Sequence, residues 1–203
     1  MQEEVYPSAE VFAGILAYHL TNAKGKVFFF EDHSKNTPAR GLHTMRAEYI
    51  NPFIRSLGNA FKTMLNCEVR RGTPCLKTDL CPHYDISGVI GLSGQAIGTV
   101  VLSLSEAVAL KAASTMLMCE LTEIDADVVD AVGELANVVA GSAKAELEEY
   151  HMSTSLPSVI TGRNHNVRFP SNVTPICVPF QTDWGPLALE VGLASVPEPV
   201  AAG

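Results

Sequence analysis

Two proline-bearing segments, each set after a long helical pattern and before a pair of strands, constrain this chain more than any other feature. Residues 69–76 read Val-Arg-Arg-Gly-Thr-Pro-Cys-Leu, and residues 153–160 read Ser-Thr-Ser-Leu-Pro-Ser-Val-Ile. A proline in an extended segment removes a ladder donor, so Pro157 marks an edge strand or a bulge. The recurrence implies an internal duplication in which neither half can bury its apolar face alone. The expected fold is α/β in the α+β sense. Internally duplicated helix–strand–hairpin units form one mainly antiparallel sheet, with long helices packed on one face.

The elements follow from periodicity. Ile50, Phe53, Ile54, Leu57, Phe61 and Leu65 recur at helical spacing and predict a helix over 47–65. Short strands are expected at 67–71 and 74–77, a hairpin at 85–92 and 98–104, and a helix from Ser105-Glu106 to about Met118. A second long helix starts near Asp125 or Asp127 and runs to about Tyr150. A strand over 154–161 carries Pro157, and strands at 174–182 and 187–193 flank the turn Asp183-Trp184-Gly185-Pro186. Residues 1–44 read as a separate extension with a short helical pattern at 9–19 and an apolar patch at 27–30. They are expected to be dispensable, with Met45 as an alternative start. Residues 45–195 form the main domain, and the Pro- and Ala-rich residues 196–203 a fraying tail.

Composition narrows the function. The chain has 203 residues, 47% hydrophobic and 18% charged, enough for a sizeable core. Its formal net charge of −8 argues against nucleic acid as a partner, since phosphate backbones require clustered Lys and Arg. The apolar stretch 11–20 is about half the ~20 residues that span a bilayer, and it follows Glu3 and Glu4 in place of a basic start. No membrane association is expected. Five cysteines, an odd number with no C-x-x-C, read as reduced thiols of a cytoplasmic protein. Cys75, Cys81 and His83 fit no structural zinc spacing. The glycines of 91–98 lie between two strands and open no helix, so they read as a hairpin turn and not as a phosphate loop.

The second long helix carries the candidate site. At ~100° per residue, Asp130, Glu134, Asn137 and Gly141 share one sector, with Val128, Val132, Leu135, Val139 and Ala143 roughly opposite. A carboxylate and a carboxamide one turn apart on an open face can grip a partner and orient a water. A plain solvated helix face is the bland alternative. Gly133 and Gly141 each weaken a helix by ~1 kcal/mol relative to Ala, which suggests close approach of a partner backbone or of a neighbouring helix. With the repeats aligned on Pro74 and Pro157, Glu134 falls on Asn51 and Asn137 on Ile54, so one such surface is expected per chain.

Asp130, Gly133-Glu134-Leu135-Ala136-Asn137, Gly141 and the later Ser155-Leu156-Pro157 resemble the signature of the CheC/CheX/FliY family of chemotaxis phosphatases. The likeness to the CheX branch is closest and runs from Met45 to about Ala194, including residues 47–53 and 85–94. The extension 1–44 departs from the family pattern. A single E-x-x-N fits the CheX form, since CheC-type relatives carry one in each half. The resemblance implies hydrolysis of the aspartyl phosphate on a CheY-like response regulator. Asn137 would hold the attacking water and Glu134 would pair with the regulator's lysine. Asp130, Gly133, Gly141 and Pro157 would line or support the docking face. No cofactor of its own is implied, because the divalent metal belongs to the regulator. A homodimer made by joining sheets is implied as well. The alternative is a catalytically silent receiver-binding or flagellar-switch module using the same surface.

Overall fold

The computed structural model describes residues 20–21, 27–28, 47–77, 84–162, 165–169, 173 and 175–195. The expected helix at 9–19, Cys81, His83 and the tail at 196–203 lie outside them. The chain divides into two compact units, Met1–Arg40 and Gly41–Gly203. In the first, β1 (Leu20–Thr21) pairs antiparallel with β2 (Val27–Phe28), the latter within the apolar patch at 27–30.

The second unit opens with α1 (Ala47–Met64), whose Ile50, Phe53, Leu57 and Phe61 are all buried. Two short strands follow, β3 (Arg70–Arg71) and β4 (Cys75–Leu76), then the hairpin β5 (Ile86–Ser93) and β6 (Ala96–Leu104). After α2 (Glu106–Leu117) comes α3 (Ala126–Glu146), then a 3-10 turn at Glu148–Tyr150. The series repeats with the short strands β7 (Ser153–Thr154) and β8 (Ser158–Thr161) and the hairpin β9 (Ile176–Thr182) and β10 (Gly185–Ser195). The long helix therefore ends earlier than its periodicity suggested: Leu147 leaves helical geometry and His151 takes a left-handed φ of 42°.

The eight strands of this unit among the described residues form one antiparallel sheet in the order β3-β9-β10-β6-β5-β7. β4 continues beside β3 on β9, and β8 continues beside β7 on β5. The two hairpins meet at the centre, where β6 pairs with β10. Each repeat's short strands cross over to edge the other repeat's hairpin. The order is thus the same read from either end, which is the duplication in three dimensions. Both crossings carry the same bulge. On one side residues 72–74 face two residues of β9; on the other, 155–157 face two of β5. Pro74 and Pro157 occupy these bulges, where no ladder N–H is required. The strand expected over 154–161 is therefore two strands.

Alternate residues of the sheet point toward the helices. Ile86, Ile90, Val100, Leu102, Leu104, Val178, Leu187 and Leu189 are each at most 1% exposed. The opposite face is covered in part, which the sequence reading did not anticipate. Cys177, Ala188, Ser87 and Glu190 are buried there. A methyl group at Gly192 would come within 2.7 Å of both Phe169 and Val173, so the stretch before β9 lies across the sheet.

Candidate functional site

α3 is anchored at its start by Asp125, whose side chain accepts a hydrogen bond from the Val128 N–H at 3.0 Å, satisfying one of the orphan donors of the first turn. Packing against α1, α2, β5 and β8 buries most of its circumference. Val128, Leu135, Val139, Ala140 and Ala143 are fully buried, and Ala131, Val132 and Ala136 nearly so. A strip beside these packed faces stays open. It carries Asp130 and Glu134, both exposed, and Asn137 and Gly141, both half-buried. The helical spacing thus brings these four residues together as expected. None of the Asp130, Glu134 or Asn137 side chains is hydrogen-bonded or ion-paired with another described residue, so both the acid and the amide are available to a partner.

Gly133 lies apart from that strip and is buried. A methyl group there would lie 3.3 Å from Val159 Cγ2 and 3.6 Å from Pro157. Its neighbour is thus the edge strand of the same chain, not a helix and not a visiting backbone. Gly141 differs: a methyl group there would meet nothing within 4 Å.

Pro157 presses β8 against the turn of α3 that presents Glu134. Its bulge is held firmly. Ser155 N–H donates to Gly91 O at 2.8 Å, and Gly91 N–H donates to Ser155 Oγ at 2.9 Å. The adjoining Leu156 is 88% exposed, a large apolar side chain displayed beside the polar strip.

Gly88 on β5 is a positioning residue that the sequence reading passed over. A methyl group there would sit 2.6 Å from Ala136 Cβ and 3.2 Å from Val132 O, so α3 rests on the sheet only because this position is bare. A glycine inside an apolar strand was the available signal. Arg55 of α1 also ion-pairs with Glu146 in the last turn of α3, on the surface.

An acid and an amide with no metal ligands around them can position a water and hold a cation. Among the described residues no group of three or more His, Cys, Asp or Glu could hold a metal ion. No described helix is long and apolar enough to cross a membrane.

Residues 86–181 match the family described as Chemotaxis phosphatase CheX. The CheY-P phosphatase CheX of Thermotoga maritima is 29% identical over 127 residues, spanning 61% of this chain and 82% of that protein. The crystal structure of chemotaxis protein CheX from Vibrio vulnificus shares 34% identity and superposes with a TM-score of 0.69, over 73% of this chain and 100% of that one. The fold is also that of CheX in the CheX–CheY–BeF3–Mg2+ complex from Borrelia burgdorferi, at 23% identity and a TM-score of 0.61 over 74% of this chain and all of that one. With the duplicated sheet and the Vibrio vulnificus relative, 34% identical and spanned end to end, the chain belongs to the CheX family of chemotaxis phosphatases.

Proposed function

We propose that this protein hydrolyses the aspartyl phosphate of a CheY-like receiver domain. One observation carries the reading: Glu134 and Asn137 stand one turn apart on an open strip of a helix whose packed faces are buried, in a chain of the CheX family. The named activity of the Thermotoga maritima relative supports it.

Asn137 orients a water in line with phosphorus. The water oxygen bonds to phosphorus, the bond from phosphorus to the aspartyl oxygen breaks, and inorganic phosphate and the free carboxylate leave. The transition state is loose, so positioning supplies most of the catalysis and no strong base is required. Glu134 pairs with the receiver's lysine. Such a pair in a desolvated interface fixes register more than it adds affinity. Asp130 adds negative charge to the docking face, and Gly141 leaves room on it. Gly133 and Pro157 seat the helix. The divalent metal comes with the receiver, and the protein brings no cofactor.

The test is phosphate release from a phosphorylated receiver. Asn137→Ala is expected to bind the receiver and to lose about a hundredfold or more in rate, the cost of a misplaced nucleophile. Glu134→Gln is expected to weaken docking. An Asn137→Ala variant that releases phosphate at the full rate would refute the assignment.

The activity resides in residues 45–195 of a cytoplasmic homodimer whose protomers join sheets. A chain beginning at Met45 is expected to sediment at twice the protomer mass and to keep the full rate. A monomer, or loss of activity on truncation, would contradict this.

A further inference from the structure

The register of β4 on β9 sets Cys75 directly opposite Cys177, two residues that lie 102 apart in sequence. Lys77 N–H donates to Pro175 O at 2.8 Å, so the cysteine pair two residues earlier belongs to the same hydrogen-bonded class. Opposed residues of that class point to the same side of the sheet, with Cα atoms about 5.5 Å apart. That separation falls within the range of about 4.4–6.8 Å that a disulfide spans. The thiol of Cys75 already turns toward its neighbour, donating to the Cys177 carbonyl at 3.7 Å. Cys75 is exposed, whereas Cys177 is fully buried beneath Tyr84. One sulfur is therefore within reach of a dissolved oxidant and the other is shielded from it but adjacent to the first.

We propose that Cys75 and Cys177 form a dithiol site that hydrogen peroxide converts into a cross-strand disulfide. The Cys75 thiolate attacks one peroxide oxygen, the O–O bond breaks, and Cys75 becomes a sulfenic acid as water leaves. The Cys177 sulfur then attacks the Cys75 sulfur. The S–O bond breaks, a second water leaves with the Cys177 proton, and the S–S bond forms. In total two thiols and one peroxide give one disulfide and two waters, with both sulfurs oxidised and the peroxide reduced.

Opposed Cβ atoms sit about 4.5–5.5 Å apart, wider than the ~3.8 Å a disulfide prefers. Closure must therefore draw β4 inward. β4 is a two-residue strand at the edge of the described sheet, entered through the bulge at 72–74, so the closure strains few ladder bonds. A bond made at that cost is readily returned to thiols by a reductant. The site thus couples the edge strand of one repeat to the hairpin of the other only while an oxidant is present.

Peptide mapping of the full-length protein after hydrogen peroxide treatment decides the matter. Trypsin, cutting after Arg71, Lys77 and Arg168, puts Cys75, Cys81 and Cys177 on three separate peptides. The expected product is residues 72–77 bridged to residues 169–203, lost on treatment with dithiothreitol. Cys75→Ser, a change at an exposed position, is expected to abolish the bridge and leave Cys177 as a thiol. Cys177→Ala is expected to leave Cys75 as a sulfenic acid that dimedone traps, at several times the wild-type yield. A bridge from Cys75 to Cys81, a bridge between two protein molecules, or Cys75 ending as sulfinic acid beside an unchanged Cys177 would each overturn the proposal.

Discussion

Gly141 and Gly133 share a helix and differ in what surrounds them, and that difference is measurable. Gly133 is enclosed by Pro157 and Val159, whereas Gly141 faces open space on the strip shared with Glu134 and Asn137. Nothing among the described residues requires a glycine at 141. Gly141→Ala is therefore expected to stabilise the protein by about 1 kcal/mol through helix propensity, read as a higher midpoint in urea. If a receiver's backbone approaches this strip, the same change weakens docking while leaving turnover at saturating receiver unchanged. A variant that is more stable and docks with wild-type affinity would remove Gly141 from the interface. The glycine would then need another explanation than the partner.

Between elements, a pair of tyrosines joins α1 to the 3-10 turn that follows α3. Tyr150 donates its hydroxyl proton to Tyr49 at 3.0 Å, and the rings meet edge to face with centroids 5.3 Å apart. That hydrogen bond, helped by burial, holds the Tyr150 phenol well above the ordinary tyrosine range. The sign is fixed by which state keeps the proton. The unfolded chain loses it near pH 10, while the folded chain retains it. The stabilisation is thus complete below about pH 10 and is lost as pH rises toward the folded value. Tyr150→Phe is expected to flatten the fall in urea midpoint between pH 9 and 11. Equal slopes for the variant and the wild type would show that the phenol does not report on this junction. Elements like α3 were legible because helical period and the Asp125 cap are local properties of the sequence. The break at 155–157 was not, because a bulge is defined by the strand opposite. Pro157 signalled a disturbance there without saying that three residues would face two. The helix stop at Glu146 was missed for a similar reason: Tyr150 completes the helical pattern, yet its hydroxyl is committed to Tyr49.

Among the described residues of the Gly41–Gly203 unit the sheet has two unlike faces, one bearing the helices and the candidate site, the other covered in part by residues 165–169 and 173 and by a buried ion pair. Lys77 Nζ contacts Glu190 Oε2, donates to Val167 O at 2.8 Å, and lies 4.9 Å from the centre of the Phe169 ring. The two side chains are only 10% and 3% exposed. Glu190 was the visible signal, a lone charge inside the apolar run Leu187–Leu193. Its partner, 113 residues away in sequence, could not be named from that run. Removing one member of such a pair strands the other charge, at a cost of about 3–5 kcal/mol. Glu190→Gln is expected to lose that much in urea unfolding, because Lys77 then has no counter-charge and the segment across the sheet loses its clamp. Replacing both members, Lys77→Met with Glu190→Leu, removes the two desolvation penalties together and is expected to recover most of the loss. In either variant phosphate release by the folded fraction should match the wild type, since α3 packs on the other side of strands that remain paired. A Glu190→Gln protein that stays fully folded but hydrolyses the receiver slowly would mean that the two faces are mechanically coupled through the central β6–β10 pairing. A loss of under about 1 kcal/mol, against the 3–5 expected for a buried pair, would mean that Phe169 and Val173 hold the cover by apolar contact alone.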